Sequence, residues 1–237
     1  MENNNTDTGF ATKAVHSGMV EIEGAASTPI FLSSTYRLTD EKYKGWAEGL
    51  HHSVVYSRIS SINSEVVSAK LAALEGAEDA EVFSSGMAAI STTLLTLLSK
   101  GDHIIATPDC YGGTYALLTD ILPRMGIEVT MADIRDPISY QQAIQENTKV
   151  LYVETMTNPT LKVCDLSAMA ELAKENNLIS VVDNTFVSPW SCNPTKMGFD
   201  IVIHSGTKYL GGHSDLTAGF VAGKKTLVAE IFHNKIY

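Results

Sequence analysis

From about residue 64 onward, short apolar runs alternate with segments of helical spacing, and this alternation constrains the fold more than any other feature. The runs are "AEVFSS", "HIIATP", "EVTMADI", "KVLYVET", "LISVVDN", "DIVIHS" and "TAGFVAG". They largely lack the polar residue at every second position that a half-solvated strand carries, so both of their faces are buried. Around them lie "SEVVSAKLAALEGA", "GMAAISTTLLTLLSKGD" and helices predicted near residues 115–124, 137–146 and 166–176. The pattern predicts an α/β fold with a mostly parallel sheet, covered by helices on both faces. A chain of 237 residues, 44% of them hydrophobic, can bury such a core.

In sheets of this kind ligands bind beyond the carboxyl ends of the strands. Polar turn segments at 84–87, 108–114, 154–160, 183–186 and 205–208 follow the apolar runs, so their side chains converge on one rim. In "DIVIHSGTKYLGGHSD", Lys208 has small hydroxyl and glycine neighbours. A lysine in such a site is suited to imine formation with a carbonyl, whereas the plainer alternative is a solubilising surface lysine. "FSSGMAAIS" ends a strand and opens a helix near Gly86, whose free amides attract anions. The alternative there is a simple N-cap by Ser84 or Ser85. Ser205 and Thr207 approach as further donors to the same anion, completing a phosphate cup. Asp183 ends the apolar run of "LISVVDN" and needs a cationic partner if it is buried, or else belongs to an Asp-Asn turn. Tyr111 in "PDCYGGTY" offers an aromatic face, or is a turn tyrosine. Taken together, lysine, phosphate cup, carboxylate and aromatic face meet the requirements of pyridoxal 5'-phosphate.

Other chemistries fare poorly. The net charge of −10 and the absence of a long basic run argue against nucleic acid and anionic membranes. Cys110, Cys164 and Cys192 form no CxxC pair, and no Cys/His cluster has zinc-ligand spacing, so no metal is expected. The adjacent His51 and His52 cannot easily ligate one ion. "GFVAGKKT" has too few residues between Gly219 and Gly223 for a phosphate-binding P-loop, and no GxGxxG follows a strand. No apolar run approaches the ~18 residues of a membrane span. The polar start "MENNNTDTGF" lacks a signal pattern, and a soluble, cytoplasmic protein is expected. Residues 1 to about 60 show no sustained period and read as an extended arm or long loops.

"DIVIHSGTKYLGGHSD", with "YSRIS", "SSGMAAI", "CYGGTY", "YVETMTNPT" and "VVDNTF" in order, resembles the Cys/Met-metabolism pyridoxal-phosphate enzymes. These include cystathionine γ-synthase, cystathionine γ- and β-lyases, methionine γ-lyase and O-acetylhomoserine sulfhydrylase. The resemblance implies the large domain of the aspartate-aminotransferase-like fold (fold type I), a three-layer α/β/α sandwich spanning residues 61–237. Residues 1–60 would form an arm contacting the neighbouring subunit. By the same resemblance, Lys208 binds the cofactor covalently and shuttles protons, Asp183 pairs with the pyridinium, and Tyr111 stacks on the ring. The backbone of Gly86 and Met87, with Ser205 and Thr207, holds the phosphate, and Asn158 meets the phenolate oxygen. Tyr56 and Arg58 reach the phosphate of the neighbouring subunit in a homodimer or homotetramer with shared active sites. The family continues into a smaller C-terminal domain, with an arginine for the substrate carboxylate, that this sequence does not contain. Where cystathionine-handling relatives often carry an arginine, this chain has Ala116; where methionine γ-lyases typically carry a cysteine, it has Gly113. The missing distal cation favours substrates with a small neutral γ-group, such as methionine, homocysteine or an O-acetyl ester, and the expected reaction is γ-elimination from methionine, homocysteine or cystathionine to 2-oxobutanoate, ammonia and a thiol. γ-Replacement by a synthase or sulfhydrylase remains the alternative, and an inactive fragment or partner the remote one.

Overall fold

The computed structural model describes residues 8–47 and 54–236; the His51–His52 pair lies outside them. All the apolar runs form strands: β1 (Asp79–Phe83), β2 (His103–Ala106), β3 (Glu128–Met131), β4 (Thr148–Glu154), β5 (Ile179–Asp183), β6 (Ile201–Ser205) and β7 (Gly219–Gly223). They make one sheet in the order β1-β7-β6-β5-β4-β2-β3. β3, β2, β4, β5 and β6 run parallel, and β7 is antiparallel to both β6 and β1.

Because side chains alternate along a strand, each strand feeds two cores. On one face Ile104, Val150, Tyr152, Val181, Ile201, Ile203 and Val221 pack against helices Gly86–Leu97 and Lys225–Lys235 and against Leu117, Leu118 and Leu122. On the other, Ile105, Leu151, Val153, Val182 and Val202 meet Tyr140 and the helix Leu166–Glu175, while Ala80, Phe220 and Ala222 meet Leu71 of the helix Ile62–Glu75. The result is three layers, as expected. The helix Ile62–Glu75 begins at a capping box between Ser61 and Ser64 and ends at Gly76 in the left-handed conformation.

The irregular N-terminal pattern conceals two helices, Phe10–His16 and Asp40–Ala47. The helical segment after Tyr111 starts at Gly112 rather than near residue 115 and continues to Arg124.

At Gly219 the start of β7 passes directly beneath the turn that opens the helix Gly86–Leu97. A Cβ placed there would lie 1.9 Å from the Ser85 carbonyl oxygen, so only glycine permits this approach. Gly219→Ala is therefore expected to lower stability by about 1–3 kcal/mol through overpacking. Urea unfolding checks it, with Gly112→Ala, whose added methyl meets nothing within 4 Å, expected to show no comparable loss.

Candidate active site

The parallel register of β4, β5 and β6 builds the centre of the rim. Glu154 is the register partner of Asp183, and Asp183 that of Ile203, which places Ser205 one strand further along on the same face. Glu154 and Asp183 are buried, and no described lysine or arginine forms an ion pair with either. Asp183 Oδ1 accepts the Thr185 amide at 2.9 Å, and Thr185 Oγ1 accepts the Ser205 amide at 2.8 Å. Thr185 thereby ties the carboxylate to the next strand end. Glu154 Oε1 accepts the Tyr111 amide at 2.7 Å and its Oε2 the Asn158 amide at 3.2 Å.

Burial and the neighbouring Asp183 push the Glu154 carboxyl up to about 8, while the two amides oppose the shift. Asp183 is likewise raised by burial, against the opposing pull of Thr185 and His204. Two such groups side by side call for a cation.

The anion cup stands next to them. A Cβ at Gly86 would fall 2.7 Å from Ser205 Cβ and 3.0 Å from its Oγ, so the helix start and the β6 end are in contact. Ser85 caps the helix, its Oγ accepting the Ala88 amide at 3.1 Å. The cap leaves the Gly86 and Met87 amides without a protein acceptor among the described residues. Capping and anion binding are thus compatible here rather than alternatives. Thr207 Oγ1 accepts the Ala218 amide at 3.2 Å and reaches the Ala218 carbonyl at 3.5 Å, a long contact that its proton can exchange for a stronger acceptor.

Lys208 follows β6 in a turn held by its amide to the Ser205 carbonyl at 3.2 Å; its side chain is exposed and forms no ion pair among the described residues. Tyr111 is 47% exposed, and its ring and Met87 Sδ flank Gly113, where a Cβ would meet them at 2.7 and 3.0 Å. The structure thus joins Glu154, Asp183, Tyr111, Asn158, Gly86, Met87, Ser205 and Thr207 into one rim from which Lys208 projects. Tyr56 and Arg58 stand apart from it: the Arg58 guanidinium lies 5.7 Å from the Tyr56 ring centroid and donates to the Ile236 carbonyl. Cys110, beside Tyr111, is buried and pushed up to about 12, so it is an inert thiol rather than a nucleophile.

A second layer of polar groups supports the rim from the opposite sheet face. Thr155, Asn184 and His204 each adjoin a rim residue in sequence and point the other way. Asn184 accepts from Thr155 Oγ1 at 2.8 Å and donates to Glu75 Oε1 at 3.1 Å, and His204 Nε2 lies 2.6 Å from that same oxygen. Glu154 and Thr185 were not singled out from the sequence. The signal for Glu154 was present, a carboxylate ending "KVLYVE" as Asp183 ends "ISVVD".

A pyridine-like cation and a phosphate fit this arrangement. No described lysine or arginine forms an ion pair with Asp183, and the Gly86–Met87 amides open beside Ser205 at an approach that a Cβ at Gly86 would block. Among the described residues no group of three or more His, Cys, Asp or Glu could hold a metal ion, and no helix is long and apolar enough to cross a membrane.

Residues 11–236 match the family described as "Cys/Met metabolism PLP-dependent enzyme". L-methionine gamma-lyase of Porphyromonas gingivalis is 42% identical over 226 residues, covering 94% of this chain and 57% of that protein. Cystathionine gamma-lyase of Bacillus subtilis is 42% identical over 224 residues, with 94% and 57% covered. The crystal structure of cystathionine gamma-lyase from Lactobacillus plantarum complexed with L-serine superposes with a TM-score of 0.88 at 39% identity, covering 97% of this chain and 58% of that one. The chain therefore spans 57% of the length of these curated relatives.

The raised Glu154 carboxyl has a consequence for stability. A native carboxyl that holds its proton more tightly than the unfolded chain stabilises the fold at low pH, and this contribution is lost as pH rises from about 4.5 to about 8. In urea unfolding of protein prepared without pyridoxal phosphate, the stability of wild type relative to Glu154→Gln is expected to decline across that window.

Proposed function

Because the chain belongs to the Cys/Met metabolism PLP-dependent enzyme family, we propose that its rim binds pyridoxal phosphate and serves a carbon–sulfur lyase acting on sulfur amino acids. The observation that carries this reading is Asp183, buried at the end of β5 with no ion pair to a described lysine or arginine, beside the Gly86–Ser205 contact. When bound, the cofactor supplies an aldehyde for the substrate's amino group and a protonated ring that withdraws electrons from the α-carbon.

The chain's own groups divide the remaining work. The Asp183 carboxylate holds the proton on the ring nitrogen, and its burial strengthens that pairing. The Gly86 and Met87 amides, at the positive end of the helix Gly86–Leu97, donate to the phosphate together with the Ser205 and Thr207 hydroxyls. Tyr111 covers one face of the ring, and the Asn158 side chain donates to the phenolate oxygen. Lys208 Nζ, in no ion pair among the described residues, anchors the cofactor covalently and takes up the proton from the substrate α-carbon. Tyr56 and Arg58, remote from this rim, serve a neighbouring copy in a homodimer or homotetramer.

The substrate reading rests on neutral surroundings. Ala116 is exposed on the helix that follows Tyr111, and Gly113 lies under the Tyr111 ring, so neither offers a charge to a distal carboxylate. This favours methionine or homocysteine over cystathionine, with γ-elimination giving 2-oxobutanoate, ammonia and a thiol. The relatives named L-methionine gamma-lyase and cystathionine gamma-lyase support the reaction class.

The test incubates the pyridoxal-phosphate-loaded chain with methionine, cystathionine and O-acetylhomoserine, with and without added thiol, and identifies products by mass spectrometry. Release of 2-oxobutanoate from methionine without thiol is expected, and its abolition in Lys208→Ala. A thioether formed only when thiol is added would replace elimination by γ-replacement, and no product from any substrate would overturn the enzyme reading for this chain.

A further inference from the structure

Glu154 joins two loops of the rim through its two carboxyl oxygens. It ends β4 at the bottom of the rim, and its two oxygens point to different loops. Oε1 accepts the amide of Tyr111, the residue before the helix that starts at Gly112, and Oε2 accepts the amide of Asn158, in the turn after β4. The same two loops are tied at the outer edge by Lys162 Nζ to Asp109 Oδ2 at 2.6 Å, a pair that is only partly shielded from solvent. An outer ion pair of that exposure contributes little. A buried carboxylate receiving two backbone amides holds far more firmly, because each amide would otherwise lose a partner away from water.

We propose that Glu154 is a positioning residue that clamps the Tyr111 loop to the Asn158 loop and so sets the two cofactor-facing side chains relative to Asp183. This rests on the cofactor reading above. Glu154 need not touch the cofactor: its register neighbour Asp183 does, and Glu154 fixes what stands over and beside the ring. The geometry also explains why a carboxylate stands here next to a second one, in spite of their mutual repulsion. Glutamine offers a single acceptor oxygen, and its amide nitrogen cannot receive the second loop.

The experiment reads amide hydrogen exchange at Tyr111 and Asn158 in protein prepared without cofactor, above about pH 8 so that Glu154 is ionised, and then the dissociation constant and visible circular dichroism of bound pyridoxal phosphate. Glu154→Ala is expected to speed exchange at both amides by on the order of tenfold or more, the loss of a charge-assisted bond, while Leu151 inside β4 is unaffected. Glu154→Gln is expected to release one amide and keep the other. Cofactor affinity should fall about tenfold in Glu154→Ala and less in Glu154→Gln, with a changed dichroic band. Asp109→Ala, which removes the acceptor of Lys162 and leaves Glu154 in place, should leave both amides protected; it also decides the matter if Glu154→Ala does not fold. Loss of protection at Tyr111 and Asn158 in Asp109→Ala would overturn the clamp. So would loosened amides in the Glu154 variants with unchanged cofactor affinity and dichroism. If wild type itself binds no pyridoxal phosphate, the cofactor reading fails and the positioning role with it, whereas binding to wild type with no effect of Glu154 sinks the positioning role alone.

Discussion

Two carboxyl groups, Glu154 and Asp183, lie in register at the ends of adjacent parallel strands, where burial withholds the water that would otherwise stabilise their charges. Everything around them answers that constraint. Amides of Tyr111, Asn158 and Thr185 point at their oxygens, and still both groups are held above the ordinary carboxylate range. Amide dipoles soften the repulsion but carry no full positive charge, so the pair is poised for a cationic ligand. The protonated nitrogen of a pyridine ring has the required charge, and a phosphate on the same molecule would meet the Gly86 and Met87 amides, which have no acceptor among the described residues.

That cup exists because of backbone contacts that side chains would prevent. Gly219 brings β7 against Ser85, and Gly86 brings the helix start against Ser205. The antiparallel insertion of β7 between β1 and β6 makes both contacts, since it sets the strand feeding the helix next but one to the strand carrying Ser205. Beneath the rim, Glu75 receives both Asn184 and His204 and anchors the helix Ile62–Glu75 to the strand ends. The rim is thus braced from both sides of the sheet.

Much of this was legible in the sequence, for identifiable reasons. Strands buried on both faces announce themselves as uninterrupted apolar runs, and all of them formed strands. Asp183 stood out because a carboxylate ending such a run is conspicuous. Glu154 bore the same mark, but its partner amide belongs to Tyr111, 43 residues earlier, and only the assembled sheet brings the two together. The helix Phe10–His16 was illegible because it buries none of its residues and has no side-chain cap, so no apolar stripe betrays it. Thr207 looked like a simple phosphate donor; the structure adds that its oxygen also braces Ala218. The roles proposed for Tyr56 and Arg58 would depend on a second chain, which the fold of one does not contain.

The central claim is that Lys208 holds pyridoxal phosphate over Asp183. Borohydride reduction of the cofactor-loaded protein, followed by proteolysis and mass spectrometry, tests it most directly. The account predicts a reduced phosphopyridoxyl group on the peptide carrying Lys208, at near-unit occupancy, and its marked loss in Asp183→Ala. Label spread over other lysines, or confined to one of them with Lys208 unmodified, would contradict it.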